Sequence, residues 1–169
     1  MAASSPQPTF KRFTQAIDPK KTSLQERFGE KMKLGLMSAG YQSVEKVVAP
    51  RDQKIDQALA TARQRAQGDM LVYVNVLGSY SAAGSSTDYL PCMTAWVKAV
   101  DTKSGATLYE DTITYGYATP ETKTVHLASD PAYRFGSIDA LVANAGKARE
   151  GLYAGVEAIV AQISTDLHK

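Results

Sequence analysis

Cysteine is nearly absent: Cys92 stands alone in 169 residues, so no internal disulfide can form. Histidine is as scarce, occurring only at His126 and His168, and no Cys/His set has metal-ligand spacing. Long apolar runs are missing too. The best stretch, 155–163, is interrupted by Glu157 and Gln162, far short of the roughly 18 apolar residues of a membrane helix. Neither sign of charge dominates: 19 Lys and Arg against 17 Asp and Glu leave +2, which gives no electrostatic argument for nucleic acid, whose binders usually carry a concentrated basic stripe. There is no Walker A loop, dinucleotide glycine signature or Gly-x-Ser-x-Gly elbow. No cofactor is therefore expected. What is present is ordinary: 44% hydrophobic and 21% charged residues, the balance of one globular domain of this length.

Residues 1–14 read as a flexible N-terminal tether and 15–169 as a single α/β domain. The start, Met1-Ala2-Ala3-Ser4-Ser5-Pro6, lacks the basic and apolar regions of a secretory signal. Two readings stand: a cytosolic protein as written, or a mature exported domain whose leader has been replaced.

Ser23-Leu24-Gln25-Glu26 has the form of a capping box. Leu24, Phe28, Met32, Leu36 and Ala39 follow at helical spacing, and Gly40 occupies the position that ends a helix. Alternation over 41–48 predicts a short strand. A second helix is predicted from an Asp52 N-cap to Gly68, with Ile55, Leu59, Ala62 and Ala66 on its apolar face. The run 70–77 is apolar on both faces, which predicts a central strand burying Leu71, Val72, Val74 and Val76. A polar loop is expected over 78–91, then strands over 92–100 and 107–117 joined by Asp101-Thr102-Lys103-Ser104-Gly105 as an antiparallel hairpin. Residues 118–135 have no clean period and read as an excursion. Ser137 caps a short helix and Gly146 marks a break. A last helix presents Leu152, Val156, Ile159, Ile163 and Leu167 on one face. The fold class that follows is α/β (α+β): a mixed sheet of about four to five strands with packed helices.

Three segments carry a resemblance: Ser38-Ala39-Gly40-Tyr41 before a Val-rich strand; the junction from Ala58 through Ala66-Gln67-Gly68-Asp69 into Met70-Leu71-Val72-Tyr73-Val74; and the hairpin from Val97 to Tyr109. Together with the C-terminal amphipathic helix, their order resembles the periplasmic α/β lipoprotein domains of Gram-negative bacteria. That group includes the curli-secretion lipoprotein, the penicillin-binding-protein activators and the N-terminal domain of the Tol-system propeller protein. The resemblance implies a first strand near 9–14 and a periplasmic, outer-membrane-tethered lipoprotein, anchored through a cysteine on a removed leader. It implies a non-enzymatic role through protein contacts, in assembling a surface export system or regulating an envelope enzyme. The partner would be an envelope protein or further copies of the chain, including a ring-forming channel subunit.

The residues themselves offer little catalysis. Ser43-Val44-Glu45-Lys46 has S-x-x-K spacing but falls on a predicted strand, whereas that chemistry needs a helix start. Cys92 reads as a small, half-buried strand residue. Trp96 faces the less apolar side of its strand, either under a helix or as an exposed anchor. A hydrolase or ligand-binding alternative would use His126, Asp130 and Arg134. The favoured candidates are contact residues: Tyr80, Tyr89, Tyr117, Tyr133 and Arg134, on the two long segments 78–91 and 118–135. Tyrosine and arginine suit interfaces because each combines contact area with a polar tip.

Overall fold

The structure is a computed structural model. It describes residues 9–47, 54–118 and 124–168. Six α-helices and four strands run in the order α1 (Thr9–Ile17), α2 (Pro19–Thr22), α3 (Leu24–Ser38), α4 (Ile55–Arg63), β1 (Met70–Ser81), β2 (Leu90–Asp101), β3 (Thr107–Tyr115), β4 (Thr124–Leu127), α5 (Ile138–Ala143) and α6 (Ala145–Asp166). A single 3₁₀ turn, Pro131–Tyr133, precedes α5. The sheet order is β1-β2-β3-β4. The first three strands form an antiparallel meander and β4 joins β3 in parallel, so the sheet is mixed, as the α/β reading expects.

Register explains the layering. Directly paired residues share a face of the sheet. Val74 opposes Val97 and Val76 opposes Ala95, while Ile113 lies across from Ala95 and Val125 across from Ile113. This apolar face meets α6 and α3, whose Val156, Ile159, Ile163, Phe28, Met32 and Leu36 complete the main core. The opposite face carries Tyr73, Lys98 and Glu110 in one row and Asn75, Trp96 and Thr112 in the next. Near the Met70 end of this second face lies α4: Asp56 reaches Lys98 at 3.8 Å, and Ala58 and Leu59 are buried. Trp96, 39% exposed, is the exposed alternative of the two expected for it.

Turn chemistry behaves as residue type dictates. Asp101 accepts hydrogen bonds from the Ser104 amide (2.6 Å) and hydroxyl (2.7 Å), and Gly105 takes φ 76°. Gly40 takes φ 103° at the end of α3. Ser137 caps α5 by accepting from the Ala140 amide at 3.1 Å.

Several expectations are corrected. Residues 9–14 belong neither to a tether nor to a first strand. They lie in α1, because Phe13 and Ile17 are spaced one helical turn apart and both are buried; residues 1–8 lie outside the described ones. The strand expected over 41–48 is absent from 41–47, and the Asp52 cap lies outside the described residues. With no ladder from 41–47, β1 is an edge strand among the described residues, not a central one. Leu71, Val72, Val74 and Val76 are accordingly half-buried; three of them, Val72, Val74 and Val76, pack on the main core. The capping box does not form. Ser23 is left-handed (φ 43°), and its hydroxyl donates to the Lys20 carbonyl at 2.6 Å instead of facing the helix. The break before the last helix falls at Asn144, not Gly146, and α4 ends at Arg63, short of Gly68.

Candidate functional site

β1 and β2 extend further than expected, so the polar loop shrinks to 82–89, and the later excursion folds into β4 and the 3₁₀ turn. These two segments nevertheless meet. Tyr89 and Phe135 form an antiparallel bridge, with the Tyr89 amide donating to the Phe135 carbonyl at 2.7 Å and the Phe135 amide donating back at 3.1 Å. The Tyr117 hydroxyl donates to the Asp88 carbonyl at 2.5 Å. Within the loop, the Thr87 hydroxyl accepts from the Gly84 amide at 2.8 Å and so fixes the turn. Asp130 holds the other wall by accepting from the Ala132 amide at 2.8 Å.

Between these walls lies a shallow cleft of about 310 Å³ lined by Ser86, Thr87, Asp88, Leu90, Tyr117 and Arg134. Its rim pairs an anionic with a cationic side chain, both exposed, beside the half-buried Tyr117 ring. Such a surface suits a polar peptide or protein segment. It presents directional hydrogen-bond groups over a shallow floor.

Not all the expected contact residues belong to it. Arg134 and Tyr117 line the cleft, and Tyr89 ties its loop to Phe135. Tyr80 is instead buried in a second, smaller core with Phe13, Phe135, Leu141 and Leu152, its ring edge-on to Phe13 and Phe135. Burial, with Tyr115, Tyr133 and Cys92 close by, pushes its phenol well above the ordinary tyrosine value. Its hydroxyl has no hydrogen-bond partner among the described residues. Tyr133 is half-buried against α6 at Gly151 and serves as scaffold. Asp88 and Thr87 were missed by the sequence reading, although Thr-Asp before a tyrosine in a polar loop is a turn signal.

The His126, Asp130 and Arg134 grouping does not share this cleft: of the three, only Arg134 lines it. His126 lies in β4 on the outer face, opposite Thr114, with Nδ1 3.4 Å from the Thr114 hydroxyl. The Asp130 amide donates to the Tyr115 hydroxyl at 3.2 Å, and its carboxylate is committed to capping the 3₁₀ turn. Ser43 lies in a non-helical segment, so Lys46 is not placed one turn away on a helix; its side chain runs against α3 at Gly29. Cys92 is half-buried in β2, as expected. No group of three or more His, Cys, Asp or Glu able to hold a metal occurs among the described residues. No described helix is long and apolar enough to cross a membrane.

Compared with known proteins, the chain matches no family model, no curated protein and no solved structure.

Proposed function

We propose that this chain is a non-enzymatic protein-contact domain of the bacterial envelope, docking a partner on the cleft formed by the 82–89 loop and the Tyr117–Arg134 wall. The observation that supports a docking role is the bridge between Tyr89 and Phe135, which joins two otherwise separate excursions into one surface. Loops held on a rigid sheet are where recognition residues concentrate. The envelope setting rests on the resemblance to periplasmic lipoprotein domains. It gives a periplasmic domain tethered to the outer membrane by a lipidated leader cysteine, with an envelope protein or further copies of the chain as partner. The role is then assembly of a surface export system or regulation of an envelope enzyme.

The test compares wild type, Tyr89→Ala and Arg134→Ala in capture of envelope proteins and in size-exclusion chromatography with light scattering. A contact residue of this type contributes about 2 kcal/mol to binding. Arg134→Ala should therefore lose partner recovery or assembly by more than tenfold while melting as wild type does, and Tyr89→Ala, whose side chain packs on the second core, should lose recovery together with some stability. Unchanged recovery in both variants removes the cleft from the binding surface. Fractionation of the cells that make the protein tests the setting separately, and recovery in the cytosol refutes it.

A further inference from the structure

Helix α1 reaches its groove through a strained connection. It lies against α5 and α6, with Phe13 and Ile17 inserted among Tyr80, Phe135, Leu141 and Leu152. Arg12 fixes its outer side through Asp139 at 2.5 Å. What connects α1 to the rest is unusual. The four-residue α2 sits between two left-handed residues that are not glycine, Asp18 (φ 47°) and Ser23 (φ 43°). A β-carbon makes that conformation unfavourable, so each joint stores strain. Local bonds hold the bend: the Thr22 hydroxyl donates to the Ile17 carbonyl (2.6 Å), the Ser23 hydroxyl to Lys20 and the Tyr153 hydroxyl to the Thr22 carbonyl (3.1 Å).

The local sequence favours a different shape. Asp18-Pro19 is the residue pair that starts helices, aspartate as N-cap and proline as first helical residue. No glycine or proline interrupts 20–28. With Ser23 in the right-handed region, α2 runs straight into α3 as one helix from Pro19, and α1 swings off its groove. Short connections under strain invite domain swapping, because the exchanged arm remakes every contact while the hinge relaxes.

We propose that the groove formed by Tyr80, Phe135, Leu141 and Leu152 accepts α1 of a second copy, giving a two-fold dimer in which the arms are exchanged and Ser23 is relaxed. The occupant is set by what the groove already holds: an amphipathic helix with aromatic and aliphatic side chains four residues apart and a basic side chain for Asp139. The exchange also reaches the cleft, since Phe135 both lines this groove and bridges to Tyr89.

The experiment incubates concentrated protein near its unfolding transition, cools it and measures the dimer fraction by size exclusion with light scattering. Wild type should form a dimer. Ser23→Gly removes the strain of the bent form and should lower the dimer fraction about fivefold. Ser23→Ala, which keeps the β-carbon, loses the Lys20 bond and favours helix, should raise it. Exchange itself is read with Arg12→Glu and Asp139→Arg, two exposed changes that leave the cores intact. Each alone places like charges together in the closed monomer. In an equimolar mixture, only arm exchange restores both opposite-charge pairs, so the ratio of heterodimer to the two homodimers together should rise from the statistical one-to-one to about three-to-one. No dimer from wild type or Ser23→Ala overturns the proposal. So does a dimer indifferent to residue 23 and mixing statistically, which would place the contact elsewhere, such as the β1 edge.

Discussion

Adding one methyl group to α6 should have opposite effects at two glycines. Alanine is favoured over glycine inside a helix by about 1 kcal/mol. At Gly146, in the first turn of α6, an added β-carbon meets nothing within 4 Å, so Gly146→Ala should stabilise the protein by about 0.5–1 kcal/mol. At Gly151 the same carbon lands on the Tyr80 hydroxyl and 2.8 Å from the Tyr133 β-carbon, which is fixed to its backbone. Overpacking of this kind costs about 1–3 kcal/mol, enough to overcome the helix gain. Gly151→Ala should thus lose about 1–2 kcal/mol net. Tyr80→Phe should separate the contributions. It removes the first clash and a buried hydroxyl without a partner among the described residues, a group whose burial costs about 1–3 kcal/mol. Alone it should stabilise by about 1 kcal/mol, and combined with Gly151→Ala it should recover part of the loss. Urea denaturation of the four variants, with unchanged slopes, gives all these differences. Gly151→Ala as stable as wild type, or an additive double mutant, would refute the packing of α6 on Tyr80.

Val74→Asp puts a carboxylate on the core face of β1 and should cost about 2–4 kcal/mol, seen as a drop in denaturation midpoint; a soluble variant with wild-type stability would place β1 face-up. Gly105→Ala must hold φ 76° with a β-carbon against the Arg63 guanidinium and should lose about 1–2 kcal/mol in the same assay. Lys31, donating to Glu157 at 2.8 Å, holds that carboxyl below the ordinary range despite partial desolvation, with Arg27 assisting. The lowered value means that the stabilisation is complete above the ordinary carboxylate range and is lost as pH falls through the folded value. Because both groups are part-exposed it amounts to less than about 1 kcal/mol, and Glu157→Gln should flatten the acid limb of the stability profile while changing little at the lowest pH. His126→Ala, at an exposed outer-face position, should leave melting and partner capture as in wild type; loss of capture in a folded variant would bring His126 back into the binding surface, as the ligand-binding alternative has it.

Local signals in the chain were legible where one physical effect decides. The Asp101–Gly105 turn, the Ser137 cap and the apolar stripe of α6 need only residue type and spacing, and all three stand in the structure. Errors arose where neighbours decide. Strand β1 is apolar on both faces because α4 covers part of its outer side, and Leu77 simply stays 61% exposed; a central position is not required. Phe13 reads as part of a flexible tether because the groove that receives it is assembled from Tyr80, Phe135, Leu141 and Leu152, far along the chain. Ser23 carried a sound cap signal that the fold overrides with a bend. At the cleft, the two segments were identifiable by length and tyrosine content. Nothing local distinguishes the inward Tyr80 from the rim, since that depends on which side of β1 faces α6.

Helix α6 supplies eight buried residues yet follows every strand among the described residues. A ribosome therefore delivers the meander, with its apolar face of Ala95, Val97 and Ile113, when α3 but not α6 is available to cover it. Local hairpin pairing closes early, but an apolar sheet face without its full cover stays in contact with water. The core is complete only once α6 packs beside α3 on the sheet. The order of elements along the chain thus leaves the last piece of the core to the last helix.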